Sequence, residues 1–75
     1  MTLDEFVQNF AEQFDDTPMS KFNPSTDYKQ LEEWGSLTAL SIITMVDAEM
    51  EKRITGSNLK ACTTIEELYN FIQAL

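Results

Sequence analysis

Ser36 is the side chain in this sequence that is best placed to take part in chemistry. It lies in the segment LEEWGSLTALSIITMV (31–46), directly after Gly35 and at the start of a run that predicts a helix. Serine is a common N-cap residue, so a purely capping role is one interpretation. The other is a covalently modified hydroxyl, because the N–H groups and the dipole of a helix N-terminus favour an attached phosphate.

The residue types that catalysis needs are missing. A nucleophilic serine or cysteine needs a nearby base, usually histidine, and the chain contains no histidine. Its carboxylates are predicted on solvated helix faces, and Asp15 and Asp16 lack the alternating acids and central glycine of an EF-hand loop. Cys62 is the only cysteine, so neither a disulfide nor a metal cluster is expected. We therefore expect neither an enzyme nor a metal protein.

The composition indicates one small acidic domain, residues 1–75. Thirteen acidic and five basic residues give a net charge of −8, which disfavours nucleic acid and anionic membranes and favours basic protein partners. The longest apolar stretch, ALSIITMV, is too short to cross a bilayer. The opening MTLDEF carries acids where a signal peptide needs bases. We expect a cytoplasmic monomer without membrane insertion.

The spacing of apolar residues predicts an all-α fold with four helices. The first covers residues 3–15, behind a capping box formed by Thr2 and Glu5. A short third helix is predicted at 58–61, after a turn at 56–58. The last helix begins at one of two adjacent threonines, each with a glutamate three residues later: Thr63 with Glu66, or Thr64 with Glu67.

The second helix carries Ser36. It is predicted to run from Ser36 to Lys52 or Arg53, whose charges would suit the C-terminal end of the helix dipole. Met45 lies off the main apolar stripe and is predicted to be an exposed contact, because methionine suits adaptable surfaces. The stripe itself is assigned to Leu37, Leu40, Ile43, Val46 and Met50, and Ile42, Met45 and Ala48 are predicted to widen it on either side.

A long connection, residues 16–35, precedes the second helix. A bare loop of this length is uncommon in a compact domain unless it is packed or functional. Tyr28, Leu31 and Trp34 are spaced three apart, which predicts a helical turn held against the core by these side chains. Trp34 is interpreted as a packed anchor beside Ser36.

This order of elements, together with two segments, resembles the acyl carrier proteins. WGSLTALSIITMVDAEM (34–50) is similar to the family's Asp-Ser-Leu segment and second helix, and TTIEELYNFI (63–72) is similar to its closing threonine pair and last helix. The spacing between them fits without a gap, and the resemblance covers nearly the whole chain. It implies a small four-helix bundle of the acyl-carrier-protein type, with a long first loop and a short third helix, that is not itself catalytic.

The resemblance also implies a cofactor and partners. Ser36 would be joined through a phosphodiester to 4′-phosphopantetheine from coenzyme A, whose thiol carries an acyl or aminoacyl group as a thioester. A phosphopantetheinyl transferase and enzymes that load and transfer these groups would dock mainly on the second helix, at Gly35, Leu37, Thr38, Ser41, Met45, Asp47 and Ala48. An enclosed acyl chain would be lined by Val46, Ile54, Leu59 and Cys62, which would serve equally well as core.

The chain departs from the family pattern in two places: the first, at Gly35, keeps a second hypothesis open, and the second bears on whether the partners are those of fatty acid synthesis. Gly35 stands where the family usually has the aspartate that helps the transferase engage, although peptidyl carrier relatives often lack it too. Uncharged side chains occupy the start of the second helix, where acids are usual: Thr38, Ser41 and Thr44. The alternative is a carrier-like interaction module that is never phosphopantetheinylated.

Overall fold

The computed structural model describes residues 1–75, which form four α-helices and no β-strand. The helices are α1 (Leu3–Ala11), α2 (Ser36–Met50), α3 (Gly56–Ala61) and α4 (Ile65–Gln73), and two 3-10 turns, Met19–Lys21 and Tyr28–Gln30, lie in the connection before α2. The all-α prediction is confirmed. No helix has the length and the apolar character that crossing a membrane would require.

Reciprocal hydrogen bonds define where the helices begin. Thr2 Oγ1 accepts from the Glu5 N–H at 3.2 Å, and the Glu5 carboxylate accepts from the Thr2 N–H at 2.8 Å, as predicted. That backbone donor holds the pKa of Glu5 below its usual range. Thr64 caps α4 through the Glu67 N–H at 3.1 Å, so Thr64 is the correct one of the two threonines. Each cap satisfies an N–H group that the helix leaves without a partner.

Three predicted helix boundaries are wrong. α1 ends at Ala11, with two further tight turns up to Phe14, instead of continuing to residue 15. α2 ends at Met50, because Glu51 adopts a left-handed conformation with φ of 55° that stops the helix. The last turn of α2 therefore contains no base. α3 begins at Gly56, two residues earlier than predicted, because Thr55 and Asn58 form another reciprocal cap.

The core is a continuous cluster built from all four helices and the long connection. α1 packs against α2 and α4, and α3 packs against α2. Fifteen side chains form the buried cluster, which is rich in aromatic rings on the α1 side: Phe6, Val7, Phe10, Ala11, Phe14, Phe22, Tyr28, Ile42, Met45, Val46, Ile54, Leu59, Ile65, Leu68 and Ile72.

The buried side of α2 differs from the predicted stripe. Leu37 is 82% exposed and Leu40 is 59% exposed, so both lie outside the core. Met45 is only 6% exposed, and the prediction that it is an exposed contact is wrong. Ile42, Met45 and Val46 are the buried residues of α2, and Ile43 and Met50 are partly buried against the core, so three of the five stripe residues do face it. The helix is rotated about its axis relative to the prediction, because α1 and α3 pack on that side of it.

Tyr28 anchors the long connection to the core, as predicted. Its side chain is fully buried, and its ring lies 5.5 Å from the ring of Phe10 and 4.9 Å from that of Trp34. Its hydroxyl lies 2.5 Å from the Leu59 carbonyl oxygen and 3.1 Å from that of Cys62, at the end of α3, and it donates its one proton chiefly to the nearer Leu59 carbonyl. Burial raises the pKa of Tyr28, so the hydroxyl keeps its proton and remains a donor.

The same connection also pairs with the start of α4. The Ile65 N–H donates to the Thr26 carbonyl at 3.2 Å, and the Glu66 N–H donates to the Pro24 carbonyl at 3.0 Å. These bonds satisfy first-turn N–H groups of α4 that have no partner inside the helix. The connection is therefore held to both α3 and α4.

We predict that Tyr28→Phe destabilises the protein by about 1–3 kcal/mol, because it leaves the buried Leu59 carbonyl of α3 without this donor. Urea denaturation followed by circular dichroism measures this change. Tyr69→Phe is the matched control, because its hydroxyl donates to the Met1 carbonyl at 2.7 Å in an exposed position. We expect the control to lie within about 0.5 kcal/mol of wild type. Equal stability of the two variants would contradict the anchoring role of Tyr28.

Candidate functional site

Ser36 is the first residue of α2, and its side chain is exposed. The N-cap is Gly35, and no side chain at the cap position bonds to the helix N–H groups. The interpretation of Ser36 as the N-cap is therefore wrong. Its hydroxyl lies one position inside the helix, next to first-turn N–H groups that face outward.

Thr38 holds the backbone that leads into Ser36. Its hydroxyl accepts from the Gly35 N–H at 2.8 Å and lies 3.0 Å from both the Glu33 and the Gly35 carbonyl oxygens. A threonine hydroxyl has one proton, so it donates to one of these carbonyls at a time or shares its proton between them. The half-buried Thr38 thus positions the segment before Ser36.

The nearest carboxylate before Ser36 in the sequence, that of Glu33, is engaged elsewhere. It accepts hydrogen bonds from the Thr17 hydroxyl and from the backbone N–H groups of Asp15, at 3.2 Å, and Asp16, at 3.0 Å. These donors hold the pKa of Glu33 below its usual range. The negative charge of Glu33 is therefore bound by donors in the segment that follows α1.

The predicted docking residues fall into three groups. Gly35, Leu37, Asp47 and Ala48 are exposed, whereas Thr38 and Ser41 are half-buried. Met45 belongs to the core and leaves the set. Leu40 and Thr44 are also exposed, although they are not in the predicted set. We call the resulting surface the α2 face: Leu37, Leu40, Thr44 and Ala48, with Asp47 near its C-terminal end.

A groove of about 570 Å³ borders the α2 face on the side of α1. Leu40 and Thr44 line it from α2, and Glu12 lines it from the segment that follows α1. Glu49 of α2 also lines it. The groove therefore combines an exposed leucine with one acidic residue on α2 and one just after α1, whereas no charged residue occurs from Ser36 to Val46.

A cleft of about 350 Å³ lies beside Ser36, between the start of α2 and α3. We call it the Ser36 cleft. Its apolar lining comes from Trp34, Ala39 and Leu59. Trp34 is half-buried and stacks on Phe14 with a centroid distance of 6.5 Å, which agrees with its interpretation as an anchor. The complete lining is Lys29, Trp34, Gly35, Ser36, Ala39, Gly56, Leu59 and Lys60.

Both glycines of the chain line the Ser36 cleft. Neither Gly35 nor Gly56 has a positive φ, so the backbone conformation does not require glycine at either position. A Cβ atom at either position would have no neighbour within 4 Å, so close packing does not require glycine either. What the two residues provide is open space next to the Ser36 hydroxyl.

The side chains that line this cleft carry positive charge, whereas the net charge of the molecule is negative. Lys29 and Lys60, two of the five basic residues, line it, and no acidic residue does. The Lys29 ammonium donates to the Lys60 backbone carbonyl at 2.7 Å, which ties the connection to α3. The surroundings of Ser36 therefore favour an anion.

The residues suggested as an acyl-chain lining belong to the packed interior. Val46, Ile54 and Leu59 are buried members of the core. Cys62 is half-buried against the core, and burial, followed by the charge of Glu67, raises the pKa of its thiol. A raised pKa keeps the thiol protonated and weakly nucleophilic at neutral pH.

Comparisons with protein-family models, with curated proteins and with solved structures returned no match. The chemistry available at the site follows from its own residues. Ser36 offers an accessible hydroxyl, and no histidine or carboxylate lines the cleft to act as a base toward it. The site therefore offers an exposed hydroxyl next to two lysines, without the adjacent histidine or carboxylate that usually activates a nucleophilic serine.

We predict that Met45→Ala destabilises the fold by about 2–5 kcal/mol, because it leaves a cavity in the core. Leu40→Ala on the same helix should change stability by no more than about 0.5 kcal/mol, because Leu40 is exposed. Thermal and urea denaturation of both variants beside wild type test the two assignments together. A stable Met45→Ala variant together with an unstable Leu40→Ala variant would contradict the burial of Met45 and support the apolar stripe predicted from the sequence.

Proposed function

We propose that this chain is a carrier protein of the acyl-carrier type, in which Ser36 is attached through a phosphodiester to 4′-phosphopantetheine. The observation that carries the proposal is the exposed Ser36 hydroxyl beside a cleft that both glycines of the chain leave open. A plain capping serine would need no such space, and Gly35 already occupies the N-cap.

The residues present suit this group. A phosphodiester on Ser36 would lie at the positive end of the α2 dipole, next to first-turn N–H groups, in the one described cleft that Lys29 and Lys60 line together. Once bound, 4′-phosphopantetheine supplies a thiol that carries an acyl or aminoacyl group as a thioester. The chain's own residues display the arm, while Thr38 orders the segment that leads into Ser36.

The proposed partners are a phosphopantetheinyl transferase and the enzymes that load and use the carried group. The α2 face begins next to Ser36 and presents Leu37 and Leu40 to solvent. Burying these leucines against a partner would supply an apolar contact close to the modified serine. We propose that the chain acts as a monomer among cytoplasmic enzymes and is not itself catalytic.

Gly35 favours the second candidate, a carrier-like interaction module that remains unmodified. A carboxylate before Ser36 would offer a transferase a charged contact, and none is present there, since Glu33 is bonded to the segment after α1. The exposed leucines of the α2 face would serve such a module equally well. Only the state of Ser36 separates the two functions.

We predict that incubation with coenzyme A, Mg²⁺ and a broad-specificity phosphopantetheinyl transferase adds one phosphopantetheinyl group. Intact-mass spectrometry with peptide mapping should locate it on Ser36. Ser36→Ala should abolish the addition and leave the melting curve close to that of wild type, because Ser36 is not the N-cap. Ser57→Ala, an exposed serine on α3, is the control and should be modified normally. Unmodified wild type with several transferases would refute the carrier function.

We also predict that Gly35→Asp accelerates this modification by a transferase specialised for fatty acid carriers, because it restores a carboxylate before Ser36. The substitution should be tolerated, since the backbone is extended and a Cβ would meet no atom within 4 Å. An aspartate there would also cap α2 and gain a few tenths of a kcal/mol to about 1 kcal/mol of stability. Initial modification rates and melting temperatures measure the two effects. A folded variant with an unchanged rate would show that Gly35 does not limit the transferase.

A further inference from the structure

We infer that the Ser36 cleft is a binding site for the near half of the arm, with Lys60 and Lys29 holding the phosphate and the apolar wall holding the dimethyl group beside it. This inference rests on the proposed function. It assigns the two lysines a role that the attachment of the arm does not itself require. It also predicts that the arm lies back against α3 instead of extending freely into solvent.

The position of the two lysines is the first observation. Acidic residues outnumber basic ones by thirteen to five, yet the cleft next to Ser36 contains two lysines and no acid. The Lys29 ammonium donates to a backbone carbonyl, so a carboxylate does not neutralise its charge in that bond. An ammonium group has three donors, so that hydrogen bond leaves two of them for an anion. A phosphodiester is the anion that modification would place there.

The open space is the second, independent observation. Gly35 lies on the α2 side of the cleft and Gly56 on the α3 side, with nothing within 4 Å of a Cβ at either position. The φ of Gly56 is not positive, so a larger residue could adopt the same backbone conformation, but it would reduce this space. The cleft volume, about 350 Å³, lies at the lower end of the range for small-molecule sites, which begins near about 300 Å³. It suits part of the arm and not its whole length.

The apolar wall is the third observation. Trp34, Ala39 and Leu59 line the cleft. The segment of 4′-phosphopantetheine next to the phosphate carries two methyl groups on a quaternary carbon. Moving these methyl groups out of water is favourable. Lysines beside an apolar wall match a phosphate that is separated by one methylene from a carbon carrying two methyl groups. Trp34, the only tryptophan, supplies an aromatic ring whose protons report on that contact.

The experiment is NMR spectroscopy of the protein before and after modification by the transferase. We expect nuclear Overhauser effects between the dimethyl protons of the arm and the ring of Trp34 or the methyl groups of Leu59. We also expect amide shift changes that extend from Ser36 to Gly56 and Lys60. Lys60→Gln keeps the backbone carbonyl to which Lys29 bonds, and it should lower the ratio of bound to free arm about two- to fivefold, as expected for one exposed ion pair.

Lys21→Gln is the matched control, since it removes the same charge at an exposed site outside the cleft. It should leave the Overhauser effects unchanged. Gly56→Leu, which fills space in the cleft, should abolish them while Ser36 is still modified. Modified protein whose shift changes stay within residues 35–37, or equal effects of Lys60→Gln and Lys21→Gln, would overturn this inference and leave the carrier function intact. Absence of modification at Ser36 would overturn both.

Discussion

The buried hydroxyl of Tyr28 is the interaction on which the site depends. It joins the connection before α2 to the carbonyls of Leu59 and Cys62, while its ring contacts Trp34, two residues before Ser36. A chain of this size has a modest core, so few contacts determine where a connection of this length runs. Because Tyr28 binds α3 and contacts Trp34, it sets the distance between α3 and the start of α2. The width of the Ser36 cleft follows from that distance.

The distribution of charge divides the surface into regions whose chemistry suits different kinds of partner. The molecule carries −8, which favours encounter with basic proteins over long distances. The α2 face carries almost no charge and exposes Leu37 and Leu40, so contact there depends on apolar burial once the partner has arrived. The Ser36 cleft is locally basic and suits an anion attached to the protein itself. Under the proposed function, one small acidic domain would combine attraction of a basic partner, docking on the α2 face and retention of the arm.

Sequence patterns predicted the features that depend on near neighbours. The cap at Thr2 follows from a pair of residues three apart, and the same pattern narrowed the start of α4 to Thr63 or Thr64. The anchoring of Tyr28 follows from its spacing of three from Leu31 and Trp34. The rotation of α2 was not predictable in this way, because its uncharged start gives no polar side to contrast with the apolar one, and packing against α1 decides that Met45 is buried and Leu40 is exposed. The end of α2 was missed because Glu51, and not glycine, adopts the left-handed conformation. The Ser36 cleft was not predictable from the sequence, because it depends on the position of α3. A hydrogen bond between residues far apart in the sequence determines that position.

The most direct test of the carrier function is the covalent state of Ser36 in protein purified from the cells that make it. Intact-mass spectrometry, followed by mapping of the peptide that contains residues 34–50, reads this state without an added transferase. The account predicts one 4′-phosphopantetheinyl group on Ser36, free or carrying an acyl or aminoacyl group on its thiol. Protein that is entirely unmodified, or that is modified at another residue, would contradict it.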